Sequence, residues 1–64
     1  MKNSKQHLTD AFAQLQEAKI NLKHAFDSAE KLNNKQRIGN TLSLVDEAVS
    51  AAASSVAYYQ DSNE

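Results

Sequence analysis

Few residues in this chain could move a proton or hold a metal ion. His7 and His24 are the two imidazoles, and cysteine is absent. His24 and Asp27 stand three apart, which would put both on one face of a helix and supply two metal ligands. Zinc sites use three or four protein ligands, so the pair reads as solvated helix surface, and no metal or other cofactor is expected. Serines and carboxylates are present, but there is no nucleophile motif, no glycine-rich phosphate loop and no inward-pointing carboxylate pair. A narrow helical chain also offers little concavity from which to exclude water. An enzyme is not expected.

The elements that position these side chains follow from composition. The 64 residues include no proline and one glycine, which argues against hairpin-rich β folds. Ala, Leu, Lys, Gln and Glu are strong helix formers, so the class is all-α, in a single domain over 1-64. A chain this short buries only about 60% of its unfolded surface. Without cysteine it has no disulfide to compensate, which leaves a partner chain as the usual remedy. The start, MKNSKQHLTD, has no apolar run behind its charges, so no secretory leader is expected. No stretch reaches the roughly 20 apolar residues of a membrane span. The expectation is a soluble, cytoplasmic protein with no membrane contact.

Two apolar seams organise the chain. Leu8, Ala11, Leu15, Ala18, Leu22, Ala25, Ala29 and Leu32 recur at an unbroken 3-4 spacing, the mark of one helix face. Phe12 and Phe26 widen it, and Lys19 is placed to run its stem along the edge. The second seam is Ile38, Leu42, Val45, Val49, Ala52, Val56 and Tyr59. The first heptad frame, carried onward, would meet Gln36, Gly39, Ser43 and Asp46, so the two frames do not join. The spacing therefore predicts a first helix over about 4-32, a turn at 33-34, a second helix over about 35-59 and a frayed tail at 60-64. Asn3-Ser4-Lys5-Gln6 and Asn33-Asn34-Lys35-Gln36 each read as a helix start, with Asn as cap and Gln reaching back.

A short turn makes the helices antiparallel neighbours. With the turn near 34, facing residue numbers total about 67 or 68, which sets Phe26 against Leu42, Leu15 against Ala52 and Phe12 against Val56. The smooth segment AVSAAASSVA at 48–57 then serves as a packing wall, small residues receiving large ones. One hairpin cannot cover both faces of these seams. Two hairpins pairing into a homodimeric four-helix bundle can.

In size and plan, with Leu and Ala alternating along the seam, the chain is similar to the Rop family of plasmid copy-number regulators, which are homodimeric four-helix bundles. That resemblance implies a dimer and a helix pair that binds paired RNA hairpins through basic and polar side chains. Here the outer face of the first helix offers Lys5, Gln16, Lys23 and His24 with Asp10, Glu17 and Asp27 interspersed, a mixture that blunts phosphate binding. Nucleic acid is therefore the alternative rather than the leading expectation. The hairpin plan also resembles the small helical co-chaperones of bacterial secretion needle subunits, which implies a chaperone that masks a partner's amphipathic helix.

Charge is split along the chain. Residues 1–37 hold seven bases and four acids, +3, and residues 38–64 hold four acids and no base, −4. Two helices of opposite sign can lie side by side without repulsion. Outside the seams, Ile20 opposes the first, and Leu44, Ala51 and Tyr58 form a thin second stripe. With Lys31, Lys35 and Arg37 around the turn, these are the candidate partner surface. The reading is a small interaction or regulatory module that contacts another protein.

Overall fold

The computed structural model describes residues 3–60 and consists of two helices, α1 (Ser4–Ser28) and α2 (Leu32–Ala57). They fold back and pack against each other as a hairpin. The expected frayed tail lies, apart from Gln60, outside the described residues.

The start of α1 forms as its residues dictate. Asn3 holds an extended backbone, its Oδ1 accepts the Gln6 amide at 2.9 Å, and the Gln6 side chain accepts the Asn3 amide at 2.9 Å. Two amides that the first turn would leave unpaired are thereby satisfied.

The break falls earlier than the heptad frames suggest. It occupies residues 29–31, so α1 stops at Ser28 instead of about 32, and Leu32 opens α2 instead of closing the first seam. Nothing local forces this stop, since Ala, Glu and Lys are good helix formers. Nor does the Asn33 cap form. Lys31 is the extended cap residue and makes no side-chain cap bond. Asn33 sits inside the first turn, where its Oδ1 accepts the Asn34 amide at 2.9 Å.

Tertiary fit accounts for the position. The Phe26 ring lies on Gly39, where an added Cβ would sit 3.2 Å from Cε2. Lys19 meets Asp46. Both pairs have residue numbers totalling 65, so the register differs from the expected 67 or 68 by two to three residues. Phe26 thus meets the face of α2 at Gly39. It uses the one position of the chain that lacks a Cβ, and the turn moves upstream to allow it.

On α1 the partly covered residues include Leu8, Asp10, Phe12, Leu15, Ala18, Lys19, Leu22 and Phe26, and Ala29 just beyond it is partly covered too. On α2 the partly covered set includes Lys35, Ile38, Leu42, Val45, Ala48, Val49, Ala52, Ala53, Val56 and Tyr59. Ala11, Ala25 and Leu32, all assigned to the first seam, are exposed. Among the described residues, none is buried. The molecule measures 50 × 20 × 12 Å, and an α-helix with its side chains is about 10–12 Å across. It is a slab one helix thick.

Candidate interaction surface

The residues with chemical potential stay dispersed. His24 and Asp27 are exposed, and no group of three or more His, Asp or Glu side chains converges on a metal-sized site among the described residues. A shallow groove is lined by Lys5, Gln6, Thr9 and Asp10. Among the described residues its lining comes from one stretch of α1 alone, an open furrow. Such a furrow cannot shut water out from a reacting group.

The two broad sides of the slab differ in chemistry. On one side Lys19 Nζ reaches Asp46 Oδ1 at 2.5 Å. That hydrogen bond and the lysine charge hold the Asp46 carboxyl below its ordinary pKa, with a further contribution from Lys23. Lys23 therefore lies on the same side, as does Gln16 by helical periodicity, with Ser43 and Ser50 opposite on α2. This side is polar and charged.

The same periodicity turns Ala11, Ala18 and Ala25 of α1, with Val45, Ala48 and Ala52 of α2, to the other side. Leu15 and Leu22 form its floor between the helices. No charged residue stands among these positions. One side of the hairpin is thus closed by an ion pair, and the other is apolar and open.

The residues proposed as partner surface are distributed around this frame. Ile20 is 55% exposed, Leu44 67% and Tyr58 82%, and Ala51 is exposed too. Leu44, Ala51 and Tyr58 line the outer edge of α2, while Ile20 lies on α1 away from them, so they do not form one patch. The basic tip is thinner than its sequence suggests. Lys31 and Arg37 are exposed, whereas Lys35 folds its ammonium over the Phe26 ring, 4.8 Å from the centroid, a cation–π contact. Leu32 is 70% exposed at the same end; the 3-4 spacing places it at the close of the first seam, but the break at 29–31 puts it at the start of α2. Gly39 was missed by sequence reasoning. A lone glycine inside a helical run was the available signal of a close approach.

No helix of the described residues is long and apolar enough to cross a membrane. Comparison with protein families, curated proteins and solved structures returns no match for the chain.

Proposed function

We propose that this protein is a non-enzymatic interaction module that works as a homodimer, two hairpins pairing into a four-helix bundle that presents its outer surface to a protein partner. The observation that carries this reading is the absence of any buried residue among those described. A domain needs at least two packed layers around a core, and one hairpin supplies a single layer. Each Leu or Phe fully buried by a second layer contributes roughly 1.5–3 kcal/mol. The seams contain enough of them to turn a marginal hairpin into a secure fold. The interspersed acids on α1 and the engagement of Lys35 and Lys19 within the hairpin favour a protein partner over nucleic acid.

Sedimentation and light scattering test the dimer directly. The expected mass at micromolar concentration is twice the 7.1 kDa of the chain, with a melting temperature that rises with concentration. A monomer with a cooperative, concentration-independent melt removes the proposal. For the partner class, binding that weakens steeply with salt points to phosphate recognition instead.

A further inference from the structure

We infer that the second copy docks on one particular side of the hairpin, the uncharged side formed by Leu15, Ala18, Leu22 and Ala25 of α1 with Val45 and Ala52 of α2, leaving the Lys19–Asp46 side to solvent. This rests on the dimer reading above and adds the face and the occupant.

Area supports a second copy. The chain exposes 5103 Å², whereas a compact monomer of 7.1 kDa exposes about 4,100 Å² by the usual mass scaling. The surplus is about 1,000 Å², close to the ~800 Å² that each partner contributes to a standard interface. Shape agrees with area. The radius of gyration is 15.0 Å, against about 11 Å for a compact chain of this length, and the slab is 12 Å thick. Stacking two slabs produces the two-layer thickness of an ordinary bundle.

Charge selects the face. In a two-fold contact every residue near the axis meets its own kind, so a charge placed there meets an equal charge. The side holding Lys19, Lys23 and Asp46 would bring lysines toward lysines and would strip solvent from an exposed ion pair. On the opposite side, none of the residues named as the docking face is charged. Two such surfaces can meet without a complementary pattern, which a different partner would need for specificity.

The test uses the full chain. Ala25 and Ser50 are both exposed in a single hairpin but lie on opposite sides. Because the natural chain has no cysteine, Ala25→Cys and Ser50→Cys each carry one thiol. At protein concentrations where the wild type is dimeric, alkylation of the Ala25→Cys thiol is expected to be at least tenfold slower than that of Ser50→Cys, and dilution is expected to abolish the difference. Ala25→Glu is expected to weaken association at least tenfold, and Gln16→Glu to leave it unchanged. Equal thiol rates in a protein still dimeric, or a dimer broken by Gln16→Glu and not by Ala25→Glu, overturn the face assignment while the dimer stands. A wild type that is monomeric throughout overturns both.

Discussion

At the scale of single residues, Gly39 decides more than any charged side chain. Glycine inside a helix is about 1 kcal/mol less favourable than alanine, yet here it receives the Phe26 ring. A methyl at 3.2 Å from the ring requires a shift of a few tenths of an ångström, and Phe26 is only half-buried and free to give. Gly39→Ala is therefore expected to stabilise the hairpin by less than about 1 kcal/mol, propensity outweighing the tight contact. Gly39→Leu must expel the ring and is expected to cost about 1–3 kcal/mol, as overpacking does. Thermal melts of the two variants decide it, and a Leu variant as stable as the wild type would show that the ring does not rest there. Asp46 is the second informative residue. Its pKa is lowered in the fold, mainly by the hydrogen bond and charge of Lys19, so its contribution is present above the ordinary carboxylate range and is lost as pH falls through the depressed value. Asp46→Asn is expected to flatten the acid side of the stability profile below about pH 4 and to do little at neutral pH, because the pair is exposed and screened by salt. An unchanged acid limb in urea titrations at pH 3 and pH 7 would mean the pair is not formed in solution.

At the scale of elements, the two helices differ in how they begin. The start of α1 has its reciprocal cap, and this was legible because Asn and Gln at a three-residue spacing act through local hydrogen bonds alone. The start of α2 has none. Its cap position is Lys31, with Lys35 and Arg37 close behind and no acid in the first turn, the unfavourable end of the helix dipole. The similar motif at Asn33 misled for a physical reason. Local capping is worth about 1 kcal/mol, and the register set by Phe26 on Gly39 outweighs it. The seams themselves were readable from periodicity, whereas the register was not, because it depends on contacts between the two helices, Phe26 on Gly39 and Lys19 with Asp46, that periodicity does not specify. Lys31 already has the extended backbone of a cap, so Lys31→Asp is expected to stabilise the fold by about 1 kcal/mol, a rise of roughly 4–8 °C in Tm for a domain of this size. No gain in a thermal melt would place the start of α2 elsewhere.

At the scale of the whole molecule, the hairpin separates from the straight alternative by length. A continuous helix over residues 4–57 would extend about 80 Å at 1.5 Å per residue, against a longest dimension of 50 Å for the hairpin. Small-angle scattering is expected to return the shorter figure for one hairpin or for two stacked side by side, and a rod near 80 Å would remove the fold. Asn33→Ala with Asn34→Ala is expected to leave that dimension unchanged, since the turn lies upstream of both residues.

The missing interior of the slab also has a calorimetric consequence. The heat capacity of unfolding comes mostly from apolar surface newly exposed to water, near 12–15 cal/mol/K per residue in ordinary domains, or about 0.8–1.0 kcal/mol/K for 64 residues. A solitary hairpin, which already exposes 5103 Å², has about 1,000 Å² less surface to expose on unfolding than a compact chain of its mass and would unfold with a smaller heat-capacity step and a flatter dependence of stability on temperature. A paired one would recover the full step and, with it, a curved stability profile and weakening in the cold. The curvature of one melting series would therefore register whether the interior that the chain lacks by itself is supplied by another.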